Sequence, residues 1–174
     1  MEYRFATAAD APVLAVMNQQ LIRDEGHRNP MTLPELEARM AGWLAGGYRA
    51  ALFEDAGAAV GYALFHRDPD FVYLRQLFVR PDHRRKGVAR DALSWLRVHA
   101  WADAPRVRID VLVGNAGAIA FWRAVGFRDY CLTMDWDRTG ELRGASVLPP
   151  GDRPPGPAPD ASPTASPSAA APPT

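Results

Sequence analysis

A basic loop at residues 84–90 has the residue types and spacing of a phosphate-binding turn. It reads Arg-Arg-Lys-Gly-Val-Ala-Arg and lies between an apolar β-type segment, residues 71–79, and a segment of helical apolar spacing that begins at Val88. A strand that leads into a helix through such a turn brings unpaired backbone N–H groups and the positive end of the helix dipole together. Gly87 and Ala89 are small enough for a ligand to approach the backbone. The sequence therefore predicts a pyrophosphate site here.

Two common nucleotide-binding motifs are missing from the sequence. A nucleoside triphosphate site of the P-loop type needs Gly-Lys-Ser/Thr after a longer glycine loop, to supply a lysine and a hydroxyl for magnesium. A dinucleotide site needs Gly-x-Gly-x-x-Gly near the first strand and an acidic residue about 20 residues later. Neither pattern occurs, so the pyrophosphate belongs to another kind of ligand.

Two motifs resemble those of one family, the GCN5-related N-acetyltransferases (GNAT). Residues 84–89, Arg-x-x-Gly-x-Ala, resemble the family's coenzyme-A loop, Gln/Arg-x-x-Gly-x-Gly/Ala. Residues 115–127 are similar to its second signature, roughly Asn-x-x-Ala-Ile-x-Phe/Leu-Tyr-x-x-x-Gly-Phe. Each motif alone also fits an ordinary strand–turn–helix, but the pair has the family's order and separation. The resemblance covers most of residues 1–136.

The resemblance implies an α/β (α+β) fold, a mixed and mostly antiparallel sheet of six to seven strands flanked by about four helices. The pattern of the sequence predicts the element order βααβββαβαβ. A capping box at Thr32 starts the second helix, and a hairpin turns at residues 55–57. We also expect strands at residues 107–113 and 127–136.

The resemblance implies acetyl-CoA as a co-substrate. The strand before the loop would contact its acetyl-pantetheine arm, the loop would hold its pyrophosphate, and the second motif would lie near the pantetheine. These expected contacts are Leu77, Phe78, Val79, Arg84, Arg85, Lys86, Gly87, Val88, Ala89, Arg90, Asn115 and Trp122. With four scattered histidines and one cysteine, the sequence predicts no metal site.

The catalytic groups are where the sequence departs from the family. The tyrosine that often protonates the leaving thiolate aligns with Trp122, whose indole cannot give up a proton near neutral pH. Tyr130 and Tyr73 are substitutes for that acid. Asp110 aligns with a glutamate that acts as a base in some members, five residues before Asn115. The alternatives are a surface ion pair of Asp110 with an arginine, or a water chain that carries the proton away.

Charged residues between the first two helices are the expected acceptor site, because the resembled family commonly uses this segment to line it. The residues are Asp24, Glu25, His27 and Arg28. The alternative is a solvated connector without a binding role.

Composition predicts one soluble domain, residues 1–148, followed by a disordered tail rich in proline, alanine and serine, residues 149–174. Ten of the sixteen prolines lie in that tail, which offers too little apolar surface to offset the entropy of ordering it. The net charge of zero argues against a general nucleic-acid binder. A single cysteine, no signal peptide and no apolar run of membrane-spanning length favour the cytoplasm.

We expect an N-acetyltransferase that acts on the primary amine of a small molecule by direct attack on the thioester. The alternatives are transfer to a protein or an aminoacyl-tRNA, and a non-catalytic acetyl-CoA-binding module, which the missing tyrosine would allow. We expect no membrane partner and no nucleic acid, and a homodimer remains open.

Overall fold

The computed structural model describes residues 1–26 and 29–134, which form a five-stranded sheet with two helices on each face. The strands are β1 (Glu2–Phe5), β2 (Arg49–Asp55), β3 (Ala58–Arg67), β4 (Val72–Val79) and β5 (Val107–Arg108). The helices are α1 (Ala11–Asp24), α2 (Leu33–Ala45), α3 (Val88–His99) and α4 (Ala116–Ala124), with 3₁₀ turns at Ala8–Asp10 and Pro81–His83. The strands lie in chain order, antiparallel throughout except that β5 is parallel to β4.

Local sequence signals begin the second helix and the hairpin. The Thr32 backbone N–H donates to the Glu35 carboxylate at 2.6 Å, which closes the capping box predicted for α2. Between β2 and β3, Ala56 and Gly57 have φ angles of 50° and 77°. Two successive left-handed residues are what a two-residue hairpin turn requires. The predicted helix start and hairpin are thus confirmed.

The sheet separates two hydrophobic clusters. On one face, α1 and α2 pack on β2 and β3 through fully buried side chains that include Leu14, Leu36, Met40, Leu52 and Leu64. On the other face, α3 and α4 pack on the sheet through Phe53, Leu74, Leu93, Leu96 and Trp122. Full burial of one such side chain contributes about 1.5–3 kcal/mol. The two clusters fix the helices that border the candidate site.

The expected sheet of six to seven strands is wrong, because five strands form. The strand predicted for residues 107–113 pairs only over Val107–Arg108. Beyond Arg108 the chain stays close to the core but leaves β4, so it has no ladder partner. Residues 127–134 form no strand, and residues 135–136 of that predicted element lie outside the described part. The alternation of apolar and polar side chains predicts which face of a segment is buried. It does not show whether a neighbouring strand is present to pair with the backbone, and without that partner no strand forms.

Candidate active site

The parting of β4 and β5 opens a groove at one edge of the sheet. The two parallel strands pair at Val72 with Val107 and at Tyr73 with Arg108, and then diverge. The groove between them has a volume of about 1400 Å³ and is walled by β4, residues 108–112, α3, α4 and the end of α1. A ligand can therefore reach the interior of the sheet without disturbing its other strand pairs.

A bulge in β4 lies beside this groove. Leu64 of β3 pairs with Gln76 and the next residue, Phe65, pairs with Leu74, so the register between the two strands shifts by one residue at Arg75. A bulge bends its strand and takes the extra residue's backbone groups out of the regular ladder. The bulge thus bends β4 close to the point where β4 and β5 part.

The N-terminus of α3 lies at one end of the groove. Gly87 is the N-cap residue with φ of 87°, and no side chain caps the helix. The N–H groups of Arg90 and Asp91 both bond to the Gly87 carbonyl, at 2.9 and 3.0 Å. Those of Val88 and Ala89, the first two residues of the helix, have no acceptor within it. This uncapped, positively polarised terminus fits a pyrophosphate group.

The four cations of the loop differ in position. Arg84 donates through Nε to the Val79 carbonyl at 2.8 Å and through a terminal nitrogen to the carboxylate of Asp24. It therefore ties the end of α1 to the end of β4. Arg85 and Arg90 line the groove, whereas Lys86 is exposed and lies outside the groove walls that the structure describes.

The second motif lies on the opposite wall as the start of α4. Asn115 caps this helix, since its Oδ1 accepts from the Ala118 N–H at 3.0 Å. The Asn115 amide nitrogen is then the side-chain group that remains for a ligand. Trp122 lines the groove but is only 7% exposed, with its ring 5.0 Å from those of Phe121 and Phe127. Its contacts are those of a packing residue.

Asp110 lies at the point where the strands part and pairs with a tyrosine. The Tyr73 hydroxyl donates to Asp110 Oδ2 at 2.8 Å. Desolvation and the nearby Asp110 charge raise the pKa of Tyr73 well above its ordinary value. Tyr73 is therefore a neutral donor at physiological pH. The sequence also allowed a surface ion pair between Asp110 and an arginine. None of the ion pairs within residues 1–26 and 29–134 includes Asp110.

Tyr130, the other catalytic candidate, lies apart from the groove walls. It is 71% exposed, and its hydroxyl is 3.4 Å from a terminal nitrogen of Arg108. Its contact with Arg108 is its closest link to the site.

Of the predicted acceptor residues, the structure places Asp24 and Glu25 on the groove wall. Although desolvation acts in the opposite direction, hydrogen bonds from Arg84 and Gln20 hold the pKa of Asp24 below its ordinary value. Desolvation, helped by the Asp24 charge, raises the pKa of Glu25. His27 and Arg28 lie outside the described residues.

Sequence reasoning missed Gln76 and Arg108, which also line the groove. Gln76 accepts a hydrogen bond through its Oε1 from the hydroxyl of the buried Tyr62, at 2.9 Å. The oxygen of Gln76 is thereby used, and its amide N–H₂ group is left for a ligand. Its place on β4 could have been read from strand alternation, but not its link to Tyr62 across the sheet.

The family model described as "Acetyltransferase (GNAT) family" matches residues 17–127, and the chain belongs to this family. It is accordingly an acyltransferase. No curated protein matches the chain. No cluster of three or more potential metal-binding side chains occurs within residues 1–26 and 29–134, and none of the helices there could cross a membrane.

Solved structures of low sequence identity share the fold. A possible acetyltransferase of Clostridium difficile has a TM-score of 0.66 and 16% identity, over 78% of this chain and 95% of that one. An aminoglycoside N-acetyltransferase in complex with CoA has a TM-score of 0.64 and 17% identity, over 79% and 93%. A predicted acetyltransferase from Clostridium acetobutylicum, with acetyl-CoA, has a TM-score of 0.63 and 17% identity, over 78% and 95%.

Proposed function

We propose that this chain transfers the acetyl group of acetyl-CoA to the primary amine of a small molecule. The observation that carries the proposal is the groove itself. It starts at the uncapped N-terminus of α3 and ends where Tyr73 and Asp110 meet between the parting strands. An anion-binding terminus and a polar, proton-accepting end are the two ends that acetyl transfer from a pyrophosphate-bearing thioester needs.

The donor half of the groove would hold acetyl-CoA. The backbone N–H groups of Val88 and Ala89 bind the pyrophosphate, and Arg85 and Arg90 add positive charge beside it. The Asn115 amide nitrogen donates to a carbonyl of the pantetheine arm. Apolar side chains of β4 and of the facing segment exclude water along that arm: Leu77, Phe78, Val79, Ile109 and Val111.

The acceptor half would handle the proton of the amine. Acetyl-CoA supplies the acetyl group as a thioester and leaves as a thiol. Asp110 accepts the proton lost from the amine, directly or through a water, while Tyr73 holds the carboxylate in place. Trp122 cannot donate a proton to the departing sulfur. No proton donor is required, because a thiol of pKa ~8.5 leaves readily as the thiolate.

Thiol release in the presence of acetyl-CoA and a panel of primary amines tests the proposal. The panel holds polyamines, amino acids, aromatic amines, an aminoglycoside and a peptide with a free N-terminus. We expect acetyl-CoA to bind in a calorimetric titration and thiol release to depend on a small amine. Binding without release for every amine would instead assign a non-catalytic acetyl-CoA-binding module, and release with the peptide alone would assign a protein acetyltransferase.

A further inference from the structure

Arg108 is held between two aromatic rings at the acceptor end of the groove. Its guanidinium carbon lies 4.2 Å from the ring centroid of Phe71 and 4.8 Å from that of Tyr130. Stacking of this kind uses the faces of the guanidinium and leaves the N–H donors at its edge available. The side chain is thus fixed in orientation before any ligand arrives.

The edge of this guanidinium meets no carboxylate within the part of the chain that the structure describes. Arg67 and Arg123, by comparison, form ion pairs with Asp103 and Asp129 at 2.7 and 2.5 Å. Within the described residues, the polar contact of the Arg108 side chain is with the Tyr130 hydroxyl. A half-buried, oriented cation that lines a groove is suited to a planar anion such as a carboxylate, which the guanidinium binds through two parallel hydrogen bonds.

Arg108 ends β5, Asp110 follows it by two residues, and both line the groove. Residues two apart are about 7 Å apart when the chain is extended. Tyr73 supports this placement, because it pairs with Arg108 in the sheet register and donates to the Asp110 carboxylate. A cation and an acid therefore stand side by side where β4 and β5 part.

We propose that Arg108 binds a carboxylate of the acceptor, so that the acetylated amine belongs to an amino acid or another amino carboxylate. This inference rests on the proposed function. The spacing of about 7 Å leaves room for an amine at Asp110 and a carboxylate at Arg108, each at hydrogen-bond distance. In the reaction, the amine nitrogen bonds to the acetyl carbon and the carbon–sulfur bond breaks. The amine proton passes to Asp110 or water, and the thiolate takes a proton from solvent.

Matched pairs of amines test the inference. Phenylalanine is compared with phenethylamine, and lysine with cadaverine, so that each pair differs by one carboxylate. The proteins are the parent chain, Arg108→Gln, Arg108→Lys, and Arg106→Gln, a control that removes the same charge from an exposed neighbour outside the groove walls. Because hydrogen bonds to a charged partner are lost, Arg108→Gln should lower kcat/KM for the amino acids about 10–100-fold, mainly through KM. The two decarboxylated amines and Arg106→Gln should show no such loss.

The same variants give a binding readout that does not need turnover. Phenylalanine and lysine are titrated calorimetrically into the CoA-loaded chain, and each variant is melted to check its fold. Arg108→Lys keeps the charge but loses the planar fork, so it should bind the amino acids more weakly than the parent and more tightly than Arg108→Gln. Equal use of both members of each pair, or amino-acid binding that Arg108→Gln leaves unchanged, overturns the inference. Amino-acid binding that needs Arg108 but gives no thiol release overturns the proposed function instead.

Discussion

At the scale of single residues, the loop before α3 combines strain with backbone exposure. Arg85 has a φ of 63° and Gly87 a φ of 87°. The left-handed conformation is unfavourable by about 1–2 kcal/mol for a residue with a Cβ. Arg85 therefore destabilises the loop by about that amount, whereas Gly87, which has no Cβ, does not. Backbone N–H groups that follow such turns converge on one point and bind anions. The loop is therefore shaped for its ligand at the expense of some stability.

Gly87→Val should abolish acetyl-CoA binding. The valine strains the loop and puts side-chain atoms where a phosphate must approach the N–H groups of Val88 and Ala89. Since each lost hydrogen bond to a charged group costs about 1.5–3 kcal/mol, we expect Kd to rise at least about 100-fold in a calorimetric titration. Gly47→Val is the control, because Gly47 has a φ of 98° with no atom near its Cβ position and lies after α2. Both variants should lose similar stability, and an unchanged Kd in Gly87→Val would refute the phosphate site.

Asp110→Asn should lower kcat about 10²–10⁴-fold, the usual scale for loss of a general base. Acetyl-CoA affinity should stay within about twofold, because Asp110 belongs to the acceptor end. Tyr73→Phe should lower kcat only about fivefold, since it removes one hydrogen bond of about 1 kcal/mol from the carboxylate. The exposed pair partner Asp103→Asn serves as the control. A rate for Asp110→Asn equal to that of the parent would show that the proton leaves through water.

At the scale of elements, the predictions from sequence succeeded where local chemistry decides the outcome. The Thr32 capping box and the hairpin at Ala56 and Gly57 each depend on residues within a few positions of one another. The strand predicted after Arg108 does not form, because it would need β4 beside it as a backbone partner and the two segments part there. β4 lies some 30 residues earlier in the chain, so local sequence does not show this. Gln76 and Arg108 were missed for the same reason. Their roles come from Tyr62, Phe71 and Tyr130, which only the fold brings close.

The junction of β1 with the turn before α1 should carry part of the acid sensitivity of the fold. Arg4 donates to the Asp10 carboxylate at 2.8 Å and the Thr7 N–H donates at 2.7 Å, and the Arg4 hydrogen bond is the main reason that the pKa of Asp10 lies well below its ordinary value. Because the pKa of Asp10 is lower in the fold than in the unfolded chain, where it is ~3.9, the ionised carboxylate stabilises the fold above that pH. This stabilisation is lost progressively as the pH falls below ~3.9.

Asp10→Asn should therefore lower the free energy of unfolding by about 2 kcal/mol at pH 7, seen as a Tm lower by about 4–8 °C. The difference in Tm between the variant and the parent should narrow in melts below about pH 4, because there Asp10 takes up a proton in the unfolded chain but not yet in the folded one. The fully exposed pair of Arg123 with Asp129 provides a control, since Asp129→Asn should change Tm little at either pH. A gap that stays constant down to pH 2 would contradict the role of the Asp10 charge.

At the scale of the whole molecule, the boundary near residue 148 is a prediction from composition alone. Residues 149–174 lie outside the described part and hold ten of the sixteen prolines. Because that composition offers little apolar surface to bury, deletion of residues 149–174 should leave both Tm and the Kd for acetyl-CoA unchanged. Melting and calorimetry of the shortened chain check this. A drop of several degrees in Tm would show that the segment packs on the domain.

The division of the core into two clusters has a consequence for how such a chain acquires new substrates. The donor-binding loop leads into α3, which packs on one face of the sheet, while Tyr62 and the helices α1 and α2 belong to the other. Mutations that share no contacts have nearly additive effects on stability. Heritable changes in one cluster therefore accumulate largely without a matching change in the other, and the bond of Arg84 to Asp24 is where the loop before α3 and the end of α1 stay coupled. Selection can in this way exchange the acceptor of the reaction while the donor stays constant through a lineage.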